Sequence, residues 1–289
     1  MFDFTEIFCI IDDFFQKFEP IYWDFLKHNN KRLRMRSSQL KVSEVVFIAI
    51  WYKCSHFNNF KAFFSSLRHN YRHLFQYLPC YQRMIYLINL HQLALHALHF
   101  ALMKNHHSSY LWIDATTLPV CKNQRIGRHK SIKAIATRGK SSMGWFYGCK
   151  LHLIMDQSGD IVSTALSNGH IADIKMVEQL VTGLKAKLYA DRGYISETLK
   201  QSLKEQGIEL ITYHRKNMQA VKLTKADAYN LRQRNKIETL FSLLKGKYNL
   251  VTSKARKIEG YLAGIYATLC AYQLCHQNKP TIQIYEALA

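Results

Sequence analysis

The segment that decides the fold reads WFYGCKLHLIM at residues 145–155, DQSGD at 156–160 and IVSTAL at 161–166. The two outer runs are apolar and rich in residues that favour strands, whereas the run between them consists of turn-forming residues. This pattern predicts a β-hairpin. Because a similar apolar run at residues 110–118 precedes it, the sequence predicts three successive strands.

Helix and strand patterns alternate after the hairpin. Helices are predicted at residues 172–184, 196–206 and 225–248, and strands at residues 186–190 and 209–213. The resulting order, β-β-β-α-β-α-β-α, predicts an α/β fold whose mixed sheet is flanked by helices. This is the order of the ribonuclease-H-like fold.

The chain before residue 105 predicts an all-helical N-terminal domain. None of the 12 glycines precedes Gly127, and apolar residues recur at three- and four-residue spacing, as in amphipathic helices. The predicted helical segments are residues 2–18, 41–54, 57–75 and 81–103. We therefore expect a helical domain at residues 1–105, an α/β domain at 106–278 and a C-terminal tail at 279–289.

The charge balance points to a polyanionic partner. The chain has 40 Lys and Arg against 20 Asp and Glu, a formal net charge of +20, and a compact protein with that charge repels itself unless a polyanion neutralises it. Nucleic acid is the leading partner class, and an anionic membrane surface is the alternative. A hydrophobic content of 48% excludes a disordered polymer.

The sequence indicates the cellular compartment and a possible zinc site less clearly than it indicates the partner. The acidic start MFDFTEIFCIIDDFF differs from a secretory signal, and seven scattered cysteines favour free thiols, so we expect a cytoplasmic protein. Cys270, Cys275 and His276 allow a zinc site, although a plain helix face is the favoured interpretation. The uncharged run at residues 84–103 is interpreted as a core helix, and no membrane partner is expected.

Two basic segments are candidate DNA contacts. Arg32, Arg34 and Arg36 belong to an acid-free run that either touches the DNA backbone or is a solvated loop. The segment 121–150 predicts a mobile basic loop beside Asp114 that follows the backbone, with a solvated insertion as the alternative. Its basic residues are Lys122, Arg125, Arg128, Lys130, Lys133, Arg138, Lys140 and Lys150.

Three carboxylates stand out because acids are scarce. Asp114 is the only acid between residues 45 and 155 and ends a predicted strand, and Asp191 ends another strand, just before a glycine. Glu238 borders the apolar stripe of the last predicted helix, on the same flank as Arg234 and Lys245. Each has an ordinary alternative: a capping role for either aspartate, and an ion pair with Arg234 for Glu238.

These carboxylates have the chemistry of a phosphoryl-transfer centre. Converging at one sheet edge, they would hold two divalent ions about 3.5–4 Å apart, an arrangement suited to in-line displacement at phosphorus. Carboxylate oxygens favour Mg²⁺ or Mn²⁺. The sequence therefore predicts Asp114, Asp191 and Glu238 as catalytic and metal-binding residues.

The same residues carry a family resemblance. The blocks at 113–116, 146–152 and 189–194, followed by Arg234-x3-Glu238-x6-Lys245, resemble bacterial insertion-sequence transposases of the DDE superfamily, over about residues 40–275. Where that superfamily often has a tyrosine, three residues before the arginine, this chain has Leu231.

The resemblance implies a transposase that cleaves the ends of its element and joins them to target DNA by two-metal phosphoryl transfer. It implies DNA as partner, through terminal inverted repeats and target DNA, a homodimer on DNA, a DNA-end-binding role for the helical domain, and a bacterial, nucleoid-associated location. Arg234 and Lys245 would contact phosphate. A ribonuclease-H-like nuclease or resolvase, and a catalytically silent transposon-derived DNA-binding protein, remain as alternatives, which strand-joining assays would separate.

Overall fold

A computed structural model gives the fold of the chain. It divides into two compact units, one formed by Met1–Leu102 with Leu244–His276 and the other by Met103–Leu243 with Gln277–Ala289. The structure describes residues 4–28, 39–103, 108–213, 223–251, 255–276 and 278–282.

The first unit is helical and is built around two helices that are apolar on all sides. Its helices are α1 (Phe4–His28), α2 (Val42–Cys54), α3 (Phe60–Asn70), α4 (Tyr81–Leu90), α5 (Gln92–Leu102) and α10 (Ile258–Cys275). Most residues of α2 and more than half of those in α10 are buried, and α10 packs against α2, α4 and α5. Because no stripe of either helix is polar, both are central in the unit.

The predicted helix at 81–103 is two helices. The chain bends by 54° between α4 and α5, at the buried His91. Within the described part of the chain, no single helix is long and apolar enough to cross a membrane, and this bent pair meets the length and composition test only as a pair. All seven cysteines lie in the described part of the chain and none forms a disulfide, which agrees with the expected thiols.

The second unit contains a six-stranded mixed sheet. Its strands are β1 (Tyr110–Cys121), β2 (Thr137–Ser141), β3 (Gly144–Asp156), β4 (Ile161–Asn168), β5 (Ala186–Ala190) and β6 (Ile208–Thr212). The strand order is β2-β3-β1-β5-β6, with β4 also paired to β3. Antiparallel pairing joins β1, β3 and β4, and parallel pairing joins β1, β5 and β6. The predicted ribonuclease-H-like mixed sheet is confirmed.

The predicted hairpin is the β3–β4 pair. Its strands pair with Leu153 opposite Thr164, and the Asp156 carboxylate accepts the backbone N–H groups of Ser158 and Asp160 at 2.8 and 3.0 Å. Gly159 has φ +79°, a left-handed conformation that glycine adopts without strain. The turn residues therefore act as the sequence predicts.

The two faces of the sheet carry different residues. Leu111, Ile113 and Leu188 belong to an apolar core, so their neighbours Trp112 and Tyr189 point to the opposite face. Helices complete the unit: α6 (Val177–Leu180), α7 (Glu197–Glu205), α8 (Lys225–Arg232) and most of α9 (Asn235–Gly246), whose last three residues belong to the first unit. Of these, α7 packs on β6, and α8 contacts β5 and β6.

The division of the chain differs from the expected domains. The first division, after Leu102, lies close to the expected boundary at 105, but residues 244–276 group with the N-terminal helices rather than with the sheet. The physical reason is α10, whose apolar surface is buried among helices of the first unit.

In the first unit, the helix predicted at residues 2–18 extends to His28. In the second unit, four predictions differ substantially from the structure. The predicted helix at 172–184 is a 3-10 turn, Asp173–Met176, followed by the short α6. The strand from Tyr110 continues to Cys121, because its residues keep pairing with β3 beyond Leu118. The expected mobile loop at 121–150 instead contains a 3-10 helix, Asn123–Arg128, and the strand β2, which pairs with the start of β3.

The fourth difference is a break in the predicted helix at 225–248. Helix α8 ends at Arg232 and α9 begins at Asn235. The backbone N–H groups of Gln233 and Arg234 bond to carbonyls only three residues back, and the Asn230 carbonyl also accepts the Trp112 indole N–H at 2.9 Å. A tightened turn therefore separates the two helices.

Candidate active site

Asp114 lies in the middle of β1, not at the end of a strand as predicted. Its side chain is 19% exposed, and its Oδ1 accepts the Ala115 N–H at 2.8 Å. The pKa of this carboxyl is raised to about 6, chiefly by burial; the Arg234 charge and the Ala115 N–H oppose the rise, and the charges of Asp191 and Glu238 add to it. Asp114 is thus a poorly solvated carboxylate that a nearby cation stabilises.

Asp191 directly follows β5, as predicted. It caps the 3-10 turn Arg192–Tyr194, and its Oδ1 accepts the Gly193 N–H at 2.8 Å. A Cβ at Gly193 would lie 2.9 Å from that same oxygen, so the glycine permits the close approach. Asp191 therefore caps the turn, as its ordinary alternative predicted, and it does so through Oδ1 alone. Its Oδ2 remains for other partners.

Arg234 joins two of the three predicted carboxylates. Its Nη1 donates to Asp114 Oδ2 at 2.8 Å, and its Nη2 lies 3.3 Å from Glu238 Oε1. The alternative of an ion pair between Arg234 and Glu238 therefore exists in the structure, but the guanidinium also reaches across to the sheet. Asp114 and Glu238 share one cation.

Stacked aromatic residues place the turn that carries Arg234. Trp112 and Tyr189, each two residues before a predicted catalytic aspartate, stack with centroids 5.4 Å apart. Trp112 donates to the Asn230 carbonyl, and the Tyr189 hydroxyl accepts from the Asn230 amide at 3.3 Å and donates to Asp227 at 3.0 Å. Since successive strand residues alternate faces, each aromatic shares a face with its aspartate.

The sequence interpretation missed Asp227 and Asn230. Both are buried polar residues one helical turn apart on α8, and Asp227 also accepts from Lys187 at 3.1 Å and from Thr224 at 2.7 Å. A polar pair on the inward stripe of a helix was the available signal, because buried polar groups require partners.

The residues fit a hard divalent cation by their chemistry. All three side chains supply carboxylate oxygens, and the desolvated Asp114 already binds a positive group. Across the described residues, no group of three or more His, Cys, Asp and Glu is gathered closely enough to hold a metal ion. The metal site at Asp114, Asp191 and Glu238, like the zinc alternative at Cys270, thus stays a hypothesis.

Most of the predicted basic residues of segment 121–150 are exposed. The exception is Lys150, whose Nζ donates to Asp173 and to the Ile171 carbonyl, both at 2.9 Å. Lys150 is therefore an internal ion-pair residue rather than a contact for DNA. The exposed residues are Lys122, Arg125, Arg128, Lys130, Lys133, Arg138 and Lys140.

Lys245 and the arginines of the first basic segment are the remaining predicted DNA contacts. Lys245 is half-buried near the end of α9, where the chain has passed into the helical unit, and burial lowers its pKa. Arg32, Arg34 and Arg36 fall outside the described residues.

Comparison with known families identifies the chain. A family model described as a transposase DDE domain matches residues 104–258, which is more than half of the 289 residues. The protein belongs to this family of DDE transposases. No curated protein sequence matches the chain.

Solved structures of transposases resemble the chain more loosely. A piggyBac transposase synaptic complex with hairpin DNA is 12% identical, with 84% of this chain and 68% of that chain covered and a TM-score of 0.48. A Mos1 transposase paired-end complex with the left transposon end is also 12% identical, with 86% and 83% covered and a TM-score of 0.25.

Proposed function

We propose that this transposase cleaves the ends of its own element and joins them to target DNA, with Asp114, Asp191 and Glu238 as its catalytic carboxylates. The observation that carries the proposal is the Arg234 bridge between Asp114 and Glu238, which draws a strand residue and a helix residue to one cation. The Asp191 charge acts on Asp114 as well. Family membership supplies the reaction class.

The three carboxylates would hold two Mg²⁺ or Mn²⁺ ions. When bound, such ions activate the attacking oxygen and stabilise negative charge on the phosphate. Asp114 would be the most tightly held ligand, because its backbone and its Ala115 contact fix its position in the sheet. Asp191 would be oriented by the Gly193 N–H.

Arg234 would change its hydrogen-bond partners during the reaction, from carboxylate oxygens to phosphate oxygens. A guanidinium forms bidentate bonds with phosphate as readily as with carboxylate. With Asp114 and Glu238 engaged as metal ligands, Arg234 would be free to bind the phosphate of the DNA strand. The exposed basic residues of segment 121–141 would hold the flanking backbone, giving salt-dependent affinity.

The test uses DNA that carries the sequences flanking the gene. Asp114→Asn, Asp191→Asn and Glu238→Gln are each expected to abolish cleavage with Mg²⁺ or Mn²⁺ while DNA binding persists. Glu197→Gln is a matched control, because this exposed acid lies on α7. Cleavage retained in any of the three variants overturns the assignment.

Strand joining separates the proposal from its alternatives. A transposase joins the cleaved ends to a second DNA molecule, whereas a nuclease or resolvase of the same fold yields cut or resolved products only. Ca²⁺ is expected to support assembly with little catalysis, because it accepts oxygen ligands with looser geometry. Sedimentation of the DNA complex tests the proposed homodimer.

A further inference from the structure

The helical unit contains a cavity that the proposed chemistry does not use. Its volume is about 760 Å³, and its walls come from α2, α3, α4 and α10 together with the segment before α10. Sites for small molecules typically occupy roughly 300–1,000 Å³. The cavity is thus large enough for a nucleotide but far too small for a duplex.

Aromatic rings form part of the wall. Tyr52 and Phe60 lie edge to face with centroids 5.3 Å apart, and the centroids of Phe60 and Tyr81 are 6.2 Å apart. Gly260 and Gly264 of α10 also line the cavity, and a Cβ at Gly264 would meet nothing within 4 Å. Aromatic rings beside small residues offer the kind of surface on which a nucleic-acid base stacks.

The charged residues of the described lining are all positive. Lys53, Lys61, Arg256 and Lys257 line the cavity, and its described lining contains no Asp or Glu. Lys61, Arg256 and Lys257 are exposed, which places them at the rim. An anion entering from solvent therefore meets cations before it reaches the rings.

Lys53 marks the interior of the cavity as a place for an anion. It is 6% exposed, and its Nζ donates to the Asn249 carbonyl at 3.2 Å. Across the described residues it forms no ion pair with a carboxylate, and burial lowers its pKa to about 8. Burying an ammonium group without a counter-ion costs free energy. A ligand phosphate bound beside Lys53 would offset that cost.

We propose that this cavity binds one unstacked nucleotide of a DNA strand, with the base against the aromatic rings and a phosphate against Lys53. The proposal rests on DNA as the partner of the proposed function. It goes beyond that function because the site lies in the helical unit. Rim cations hold the strand on either side of the captured nucleotide. The base must be unpaired, because a paired base cannot enter.

The test compares two DNA probes with the full-length protein. One is a blunt duplex, and the other is the same duplex with a short single-stranded overhang that carries 2-aminopurine. The overhang probe is expected to bind at least tenfold more tightly, and stacking on the rings is expected to change the fluorescence of the 2-aminopurine. Equal affinity for the two probes overturns the proposal.

Variants assign the preference to the cavity. Lys53→Met removes the buried charge at similar volume, and the double variant Lys61→Ala with Arg256→Ala removes rim charges without touching the core. Each is expected to reduce the overhang preference to threefold or less while duplex binding persists. Lys17→Ala, an exposed substitution on α1, is the control and should keep the full preference. If the double variant Lys61→Ala with Arg256→Ala keeps the full overhang preference, the proposal fails. This holds even if Lys53→Met does not fold.

Two further arms separate the possible outcomes. Free deoxyadenosine monophosphate is expected to displace the overhang probe only at millimolar concentration. If it displaces the probe at a concentration similar to that of the probe, the cavity is a site for free nucleotides and the proposal is overturned. The overhang preference should survive in Asp114→Asn, because the carboxylates lie in the other unit. Absence of all DNA binding would refute the proposed function, whereas duplex binding without overhang preference refutes the cavity proposal alone.

Discussion

Removing Arg234 is the sharpest test of the carboxylate arrangement. Arg234→Ala deletes a charge-assisted bond to Asp114 between side chains that are 21% and 19% exposed. Hydrogen bonds to charged groups contribute about 1.5–3 kcal/mol to stability. The second bond, to a Glu238 side chain that is 61% exposed, adds little because solvent screens it. We expect the free energy of unfolding to fall by about 1.5–3 kcal/mol at pH 8.

The loss of unfolding free energy in Arg234→Ala should increase with pH. The folded state raises the pKa of Asp114 from 3.8 to about 6, so folding favours the neutral carboxyl, and this group's contribution to stability falls as pH rises through that range. Arg234 offsets part of the fall, because it stabilises the charged form. The deficit of Arg234→Ala relative to the original chain is therefore small near pH 4 and grows as pH rises through 6.

Thermal unfolding at several pH values measures the deficit. A change of 1 kcal/mol shifts Tm by roughly 2–4 °C in chains of 150–250 residues, so the expected loss at pH 8 is several degrees. Mg²⁺ should raise the Tm of Arg234→Ala more than that of the original chain, because the ion no longer competes with the guanidinium. The control is Arg232→Ala, a substitution of an exposed residue two positions earlier. It should neither lower Tm at pH 8 nor increase the effect of Mg²⁺ on Tm. A deficit that is equal at pH 4 and pH 8, or an equal Mg²⁺ effect in both proteins, would refute the reasoning.

Two other predictions concern the sheet and α9. Gly148→Ala should destabilise the protein by about 1–3 kcal/mol in chemical denaturation, because its Cβ would lie 2.1 Å from the Leu118 carbonyl oxygen, whereas Gly127→Ala, with nothing within 4 Å, should be tolerated. Lys245→Ala should lower end cleavage tenfold or more, about 1.4 kcal/mol, with little change in Tm. Lys236→Ala on the same helix is its control, and equal activity of the two variants would leave Lys245 without a role in phosphate binding.

The local patterns of the sequence were sufficient for the hairpin and the parallel strands. Apolar runs and turn residues locate β3, β4 and β5, because these elements are encoded by residues near one another in the chain. The same holds for the buried stripe of α9, whose Ile237, Leu240 and Leu244 are fully buried. Asp191 could be placed at a strand end for this reason.

Long-range contacts decided the features that the sequence did not reveal. The strand β1 continues past Asp114 because β3 offers partners as far as Cys121. The break between α8 and α9 depends on Trp112, which bonds to a carbonyl far away in the sequence. The uniformly apolar α10 has no polar stripe to indicate its partners, so its place among the N-terminal helices required the structure.

The placement of α10 has a consequence for synthesis of the chain. Domains generally fold in order as they leave the ribosome, the N-terminal one first. Here the helical unit includes residues 244–276 as well as the N-terminal helices, so it is completed only after all six strands of the sheet have been synthesised. Until α10 emerges, the apolar surfaces of α2 and α5 that pack against it are exposed. The strands can therefore begin to pair before the helical unit has its last helix. A chain that stops before residue 258 leaves a hydrophobic surface open to chaperones and proteases.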